Sequence, residues 1–417
     1  MIYLFIHQNF PAQYKHLIQY LSDQTGNEIY FITQSNDPTI AGVKKLVYNV
    51  QVPSPLNCHP YTIDYDIAVR TGLAVAQVCQ ALQQQAIRPD LIAGHSAWGE
   101  TLFVKDVFPN SPLLSYFEFF YHFSHVDVNF DPEYPTATGE AFRLRANNAV
   151  NLVAFDAADW GNTPTEWQRS LHPPEMRTRI TTIHEGVDTN IAIPNPAARL
   201  QFDRSELALT ADDEVVTYVA RNLEPYRGFH IFMRAAKEIL RRRPRAHIIV
   251  IGGDDVSYGA PPPPGETFRG LMLKELGNGL IVDRLHFMGQ VSYEIYLSVL
   301  QISSAHIYLT YPFVLSWSFI EALSCGCAII GSDTPPVLEV LEDNENGLLV
   351  DFFSPTAIAD RVDQLLDQPD DARRLRNNAR DTAVTKFDFK TVLLPRWLGL
   401  MDDLINERRP KAGATRT

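Results

Sequence analysis

The stretch AHIYLTYPFVLSWSFIEALSCGCAIIGSD, residues 305–333, has a strand–loop–helix pattern that is informative about the fold. Its opening HIYLTY is an apolar run typical of a buried strand, PFVLS reads as a loop, and SWSFIEALSC has helical spacing that stops at Gly326. A strand that leads through a loop into a helix places backbone N–H groups and the positive end of the helix dipole at the carboxyl edge of a parallel sheet. We therefore expect an anion at this edge. Glu321 lies about one turn into the helix, where it can reach hydroxyl groups beside that anion, although a solvated helix glutamate is an equal alternative on position alone.

The same alternation of short β-branched runs and longer helical patterns extends over the whole chain, which is typical of βαβ units around parallel sheets. Prolines and polar residues at 191–205 predict a linker. The sequence therefore predicts an α/β protein with two Rossmann-like domains, at 1–195 and 205–390. A C-terminal helical segment, 391–417, is expected to pack back on the first domain and to end in a frayed tail.

Composition and charge exclude several classes of protein. With 45% hydrophobic and 20% charged residues among 417, the chain lies far from the composition of disordered proteins. Its 36 basic and 49 acidic residues leave a net charge of −13, which argues against a general affinity for nucleic acid. Four cysteines in so long a chain do not make a disulfide framework. Because no apolar stretch approaches about 18 residues and no signal peptide is evident, we expect a soluble cytoplasmic protein.

Two arginines follow a second predicted strand. In VARNLEPYRG, residues 219–228, Arg221 comes just past the strand and Arg227 opens the next helical pattern. Guanidinium groups supply fixed charge and forked donors that suit a diphosphate, and no acidic or histidine cluster suggests a metal ion to neutralise it. Surface arginines remain the alternative interpretation. The Gly252–Gly253 pair after the next strand would let the backbone approach a ligand closely.

Taken in order, these segments resemble the C-terminal domain of the family 4 glycosyltransferases. These are retaining enzymes of the GT-B fold, in which two Rossmann-like domains face each other across a cleft. The resemblance covers most of residues 215–395, and its ordered motifs are VARNLEPYRG, IVIGG, LHFMGQVSYEIYLSVLQ, the 305–333 stretch and ENGLLVDFFSP. The N-terminal half resembles the companion domain of a bacterial subgroup through HQNFPAQYKHL and HEGVDT.

The resemblance implies roles for several residues on the donor side. Arg221 matches the arginine on the donor diphosphate, and Arg227 stands where most members have lysine. Glu321 matches the second glutamate of the family's paired signature, which holds the ribose, whereas the first glutamate is replaced by Phe313. We expect backbone amides around Val314, Leu315 and Ser316 to contact the sugar instead. Gly253 and Gly289 complete the donor-binding set.

The acceptor side carries a weaker signal. Family members present a histidine near the reacting carbon, and the corresponding place here is Glu118 in PLLSYFEFFYH, with His122 four residues later. His95 follows another predicted strand, and Asn9 and Gln13 follow the first one. A role in the core or the pocket wall is the alternative for each of these side chains. Gly186 in HEGVD is expected to form a turn.

The resemblance implies retaining, metal-independent transfer of a hexosyl-type group from a nucleoside diphosphate sugar, with Arg221, Arg227 and Glu118 as the catalytic candidates and no cofactor. The acceptor would be a glycan, a lipid-linked glycan or a small molecule, and loose contact with a membrane is compatible with it. Two alternatives stay open. The first is a nucleotide-sugar-binding protein without transfer activity, which the loss of the carboxylate at Phe313 favours, and the second is a GT-B nucleotide-sugar epimerase.

Overall fold

The computed structural model describes residues 1–52, 54, 57–124, 126–137, 139–202, 207–410 and 412–413. The chain divides into two compact units. The first unit comprises Met1–Asn129, Pro135–Gly186 and Phe389–Thr417, and the second comprises Phe130–Tyr134 and Val187–Asp388.

The first unit is built on a seven-stranded parallel sheet with strand order β3-β2-β1-β4-β5-β6-β7. Buried apolar side chains dominate the central strands, and Phe5 and Ile6 of β1 are almost fully buried. Such strands, covered on both faces, are what an alternating βα sequence predicts. The strands are β1 (Ile2–Ile6), β2 (Glu28–Thr33), β3 (Val43–Val47), β4 (Leu91–His95), β5 (Leu113–Tyr116), β6 (Trp160–Thr163) and β7 (Ile180–Thr182).

Helices connect these strands. Thr165 is the N-cap of one of them, because its hydroxyl accepts the backbone amide of Gln168 at 3.1 Å. The helices are α1 (Lys15–Ser22), α2 (Ile63–Gln84), α3 (Val104–Val107), α4 (Glu140–Ala157), α5 (Glu166–Leu171) and α6 (Pro174–Arg177).

The second unit contains a short antiparallel pair, β8 (Arg199–Gln201) and β9 (Ala208–Thr210), and a six-stranded parallel sheet with order β12-β11-β10-β13-β14-β15. The strand β8 corrects the predicted linker at 191–205. Its described part, residues 191–202, is not a plain connection, because Ala198 and Leu200 are buried in the core of the second unit, and residues 203–205 lie outside the described part of the chain. The sheet strands are β10 (Val215–Asn222), β11 (His247–Gly253), β12 (Leu285–Gly289), β13 (Ala305–Tyr308), β14 (Ile329–Ser332) and β15 (Leu348–Val350).

The helix predicted in SWSFIEALSC begins and ends where the sequence indicates. The helix that contains Glu321 begins at Trp317, with Ser316 as its N-cap, and is followed by Gly326 in the left-handed conformation at φ +70°. The helices are α7 (Phe229–Arg242), α8 (Phe268–Leu276), α9 (Tyr293–Gln301), α10 (Trp317–Ser324), α11 (Pro335–Leu338), α12 (Pro355–Asp367) and α13 (Pro369–Thr382).

The C-terminal segment belongs to the first unit, where helix α14 (Leu394–Ile405) buries Trp397 and Met401 in the core. The expected frayed tail is corrected at one point. The amide of Gly413 donates to the carbonyl of Ile180 at 2.9 Å, because the tail returns to pair with β7. Residues 414–417 lie outside the described part of the chain.

Two smaller findings concern membranes and cysteines. In the ranges that the structure describes, no helix is long and apolar enough to span a bilayer. Cys79, Cys325 and Cys327 are buried, Cys58 is half-buried, and all four are free thiols.

Candidate functional site

Arg227 is the centre of the polar groups at the carboxyl edge of the second unit's sheet. It ends the turn of 3₁₀ helix Pro225–Arg227 after β10, and its side chain is buried. Its Nη1 donates to the Thr310 hydroxyl at 2.8 Å and to the Val314 carbonyl at 2.9 Å, and lies 3.4 Å from the Tyr308 hydroxyl. These partners belong to β13 and the loop after it. Because β10 and β13 are parallel neighbours, the two loops meet at one edge of the sheet.

The charge of Arg227 survives its burial. Burial acts to lower the pKa of Arg227, but Tyr308, Tyr258 and Glu224 nearby raise it above its usual value. The ring of Tyr258 lies 5.3 Å from the guanidinium carbon, a cation–π distance. The site therefore holds a permanent cation fixed by neutral hydrogen-bond acceptors.

Arg221 stands at the same edge in a different environment. It lies next to last in β10, it is exposed, and no described residue is a hydrogen-bond or ion-pair partner of its side chain. Gly253, at the end of neighbouring β11, is a close-packed position, because a Cβ there would lie 2.6 Å from the Asn222 side-chain oxygen and 3.6 Å from the Arg221 carbonyl. Gly289 ends β12 with φ +65°, in the left-handed region that glycine tolerates.

Phe313, which replaces the family glutamate, is buried in an aromatic cluster. Its ring lies 4.9 Å from that of Tyr258 and 5.5 Å from that of Tyr226. Tyr226 also packs on Tyr311 at 4.7 Å. An apolar wall next to Arg227 thus takes the place where the resemblance would put a carboxylate.

Polar groups at the start of α10 are hydrogen-bonded within the protein. The Ser316 amide donates to the Tyr308 hydroxyl at 2.8 Å, and the Ser316 hydroxyl caps the Ser318 amide at 3.3 Å. The Ser316 amide thus has an acceptor inside the protein, and the contact of this amide with a sugar stays a prediction. Val314 contributes its carbonyl to Arg227, and Leu315 is buried in the core of the unit.

Glu321 is fixed by two tyrosines of helix α9. Its Oε1 accepts the Tyr293 hydroxyl at 2.8 Å, and its Oε2 accepts the Tyr296 hydroxyl at 2.7 Å. The two tyrosine hydroxyls, one on each carboxylate oxygen, fix the orientation of this group. Glu321 is half-buried rather than a freely solvated helix residue.

Glu224 is a functional candidate that sequence reasoning missed. Its side chain is fully buried, and its carboxylate accepts backbone amides of Ser257, Tyr258 and Gly259 at 3.1–3.2 Å. It thereby fixes the loop after β11 and places Tyr258 beside Arg227. The signal that the sequence offers is an acidic residue between the two arginines of RNLEPYR.

The first unit brings two of the predicted acceptor residues together. His95, the last residue of β4, is fully buried, and its Nε2 lies 3.8 Å from Oε2 of Glu118, whose side chain is 27% exposed. The His95 ring stacks on Trp98 at 4.4 Å and meets His7 edge-on at 4.9 Å. Burial, together with His7, lowers the pKa of His95 well below its usual value, so the ring is neutral.

The other predicted acceptor residues are placed differently. His122 is tied to helix α5, because its Nε2 lies 2.7 Å from the Leu171 carbonyl. Asn9 is exposed and donates its amide to His7 Nδ1 at 2.9 Å, and Gln13 hydrogen-bonds the same imidazole. Gly186 has φ +81°, in the left-handed region that glycine tolerates, and its turn stays a prediction.

Two buried carboxylates of the first unit were also missed. Glu185 is buried and accepts the Tyr116 hydroxyl. Glu100 is fully buried, accepts the Tyr48 hydroxyl at 3.2 Å and hydrogen-bonds backbone amides of Gln8 and Trp98. Burial raises the pKa of Glu100 to about 7. In the described part of the chain, no group of three or more histidine, cysteine, aspartate or glutamate side chains is placed to hold a metal ion.

Comparison with known families covers both units. Residues 25–192 match the model described as glycosyl transferase family 4 group, and residues 201–382 match the model described as glycosyl transferases group 1. The D-inositol 3-phosphate glycosyltransferase of Corynebacterium efficiens is 27% identical over 84% of this chain and 80% of its own length. Spore coat protein SA of Bacillus subtilis is 27% identical over 52% of this chain and 58% of its own length. In several other relatives the match spans about half of their length.

Solved structures agree in fold. Sucrose-phosphate synthase from Thermosynechococcus elongatus superposes with a TM-score of 0.73 at 18% identity, covering 98% of this chain and 100% of that one. HepE of Anabaena, in complex with UDP-glucose, gives a TM-score of 0.67 at 16% identity, covering 96% of this chain and 100% of that one. The two parallel α/β units and the two family models together lead to one conclusion: the chain belongs to the family 4 group of glycosyltransferases and has the GT-B fold.

Proposed function

We propose that this glycosyltransferase moves a hexosyl group from a nucleoside diphosphate sugar to a hydroxyl group of an acceptor, with retention of configuration and without a metal ion. The observation that carries the proposal is Arg227, a buried cation held at the sheet edge by Thr310 and Val314, with the exposed Arg221 near the end of the preceding strand β10. The solved structures of HepE contain UDP and UDP-glucose, which supports a uridine nucleotide as the first donor to test.

The demanding step in this proposal is departure of the diphosphate. The bond between the sugar's anomeric carbon and the diphosphate oxygen breaks, and the leaving group gains negative charge. Arg227 and Arg221 would stabilise that charge, and a buried guanidinium that is already oriented needs little rearrangement to do so. The amino end of α10 adds a favourable dipole at the same edge.

The acceptor hydroxyl would form its new bond on the face that the diphosphate leaves. Its proton would pass to a diphosphate oxygen, so no side-chain base is required. Glu118 and His95 in the first unit are proposed to orient the acceptor, because Glu118 is partly exposed and its carboxylate lies 3.8 Å from the neutral imidazole. Glu321, held by Tyr293 and Tyr296, would accept hydrogen bonds from the ribose diol.

The test is a panel of nucleoside diphosphate sugars incubated with the purified chain, with and without a chelator. We expect one donor to be hydrolysed slowly without an acceptor and to raise the unfolding temperature. Arg227→Ala should lower the rate roughly 100- to 1,000-fold, as removal of one such donor does in other enzymes. Equal rates for the wild type and Arg227→Ala would remove this site assignment.

One observation favours a second candidate function. Phe313 is buried among Tyr226 and Tyr258, so the paired carboxylate of the family is absent and an aromatic wall is built in its place. A protein that binds nucleotide sugars without transferring them would show thermal stabilisation by a donor and no turnover with any acceptor. Formation of an epimer of the sugar would instead identify an epimerase.

A further inference from the structure

A five-residue segment from the N-terminal half of the sequence is part of the second unit. Residues Phe130–Tyr134 belong to that unit, whereas the residues on both sides of them belong to the first. We call FDPEY, residues 130–134, the inserted segment. The Phe130 ring lies 5.1 Å from each of the rings of Tyr311, Phe352 and Phe353, which anchors the start of the segment in an aromatic pocket.

The inserted segment buries a carboxylate. Asp131 is 2% exposed, and its Oδ2 accepts the Tyr311 hydroxyl at 2.7 Å and lies 2.9 Å from His230 Nε2. Burial acts to raise the pKa of Asp131, but hydrogen bonds from His230 and Tyr311 hold it below its usual value. Burying an ionised carboxylate is costly unless such partners are present, so this network is built for the charge.

Both partners of Asp131 belong to the elements that fix Arg227. Tyr311 lies in the loop after β13, and its amide donates to the Tyr226 carbonyl at 2.9 Å, one residue before Arg227. The same loop supplies Thr310 and Val314 to the guanidinium. His230 lies in the first turn of α7, three residues after Arg227. Asp131 therefore joins the two loops whose relative position sets the Arg227 side chain.

We propose that Asp131 is a positioning residue for the donor half: through Tyr311 and His230 it sets the loop that holds Arg227. This inference rests on the proposed function, in which Arg227 meets the donor diphosphate. It assigns Asp131 a role on the donor side, although Asp131 lies in the half of the sequence that the resemblance gives to the acceptor.

The inserted segment also provides a matched control. Glu133, two residues after Asp131, pairs with Arg234 at 2.7 and 2.8 Å, but its side chain is 42% exposed. An exposed pair of this kind contributes little to stability. Glu133→Gln therefore changes an exposed carboxylate in the same segment and keeps the Glu133 backbone amide, which donates to Asp131 Oδ1 at 2.9 Å.

The experiment measures three quantities: kcat and KM for hydrolysis of the nucleotide sugar that the donor panel selects, UDP binding by calorimetry, and the unfolding temperature. The proteins are the wild type, Asp131→Asn, Tyr311→Phe, the double variant and Glu133→Gln. Loss of a hydrogen bond to a charged group should lower kcat/KM about 10-fold or more in Asp131→Asn, while Glu133→Gln stays within about 2-fold of the wild type. The double variant should lose less than the product of the two single losses, because both residues act through one contact.

Several outcomes would overturn the inference. If Asp131→Asn unfolds at a lower temperature but keeps the wild-type kcat/KM and UDP affinity while folded, Asp131 has a structural role only. Should Asp131→Asn fail to fold, Tyr311→Phe alone must show the kinetic loss, and an unimpaired Tyr311→Phe contradicts the inference. If the wild-type protein binds neither UDP nor another nucleoside diphosphate, both the proposed function and this inference are wrong. If the wild type is active and Asp131→Asn is unaffected, only the inference about Asp131 is wrong.

Discussion

Nη1 of Arg227 donates a 2.9 Å hydrogen bond to the backbone carbonyl of Val314, so the cation that follows one strand is tied to the loop that follows its parallel neighbour. Arg227 binds Thr310 and Val314 through Nη1 alone and has Nε and Nη2 in the same rigid plane as further donors, whereas a lysine has one nitrogen for all of its contacts. An arginine at position 227 is therefore not equivalent to a lysine, although both side chains carry one positive charge.

Arg227→Lys should therefore impair the enzyme even though the charge is kept. We expect kcat/KM for the donor to fall roughly 10-fold, with less change in the unfolding temperature than Arg227→Ala causes, because the loop loses one of its anchors. Steady-state kinetics check this. Arg245→Lys, at a surface arginine that is 84% exposed, should behave like the wild type. A fully active Arg227→Lys would show that charge alone suffices.

Glu224→Gln should loosen the loop after β11. The backbone amides of Ser257, Tyr258 and Gly259 all lie 3.1–3.2 Å from Oε2 of Glu224, and a neutral amide oxygen binds such donors more weakly than a carboxylate oxygen does. We expect the free energy of unfolding to fall by about 1–3 kcal/mol in denaturant titrations. Glu266→Gln, at an exposed glutamate nearby, is the matched control. Equal stabilities of the two variants would contradict this account of Glu224.

The two tyrosines on Glu321 should differ in importance. Tyr296 is buried and Tyr293 is 43% exposed, although both donate to the same carboxylate. Water can replace the Tyr293 hydroxyl more easily, so Tyr296→Phe should raise the donor KM about 5-fold and Tyr293→Phe by less. If neither change affects KM while Glu321→Ala does, the tyrosines do not orient the ribose-binding group.

The sequence is sufficient to predict the parallel strands and the start of α10, because apolar periodicity and helix capping are local properties of the chain. Arg221 and Arg227 were found because each follows a recognisable strand. Glu224 was missed because its partners, the amides of Ser257–Gly259, lie more than 30 residues away and carry no side-chain signal. Asp131 was missed for a similar reason, since nothing local shows that the inserted segment packs in the second unit.

The acceptor side was harder to predict. His95 ends β4 and Glu118 comes two residues after the neighbouring strand β5, so parallel pairing brings both to one edge of the sheet, where His95 Nε2 lies 3.8 Å from Glu118 Oε2. His122 follows the same strand as Glu118 at helical spacing, but the chain after β5 is not helical, and the imidazole turns to the Leu171 carbonyl instead. Spacing is informative only where the backbone is regular.

The buried carboxyl group of Glu100 should make stability depend on pH. Its pKa in the folded protein is raised from 4.5 to about 7, so the neutral form is favoured by folding. The stabilisation is complete below about pH 4.5 and is lost as the pH rises to about 7. The buried histidines, whose pKa values are lowered, act in the opposite direction, so the difference between the wild type and Glu100→Gln is the informative quantity.

Denaturant unfolding at pH 5 and pH 8 measures that difference. Relative to Glu100→Gln, the wild type should lose stability between the two values. A difference that stays constant with pH would show that Glu100 does not titrate in this range.

We propose that Arg221, Arg227 and the start of α10 together bind one diphosphate. A crystal structure of the protein with UDP bound would test this proposal. We predict the diphosphate within hydrogen-bonding distance of both guanidinium groups and the ribose hydroxyls on the Glu321 carboxylate. UDP bound away from Arg227, or a diphosphate that contacts neither arginine, would contradict the account.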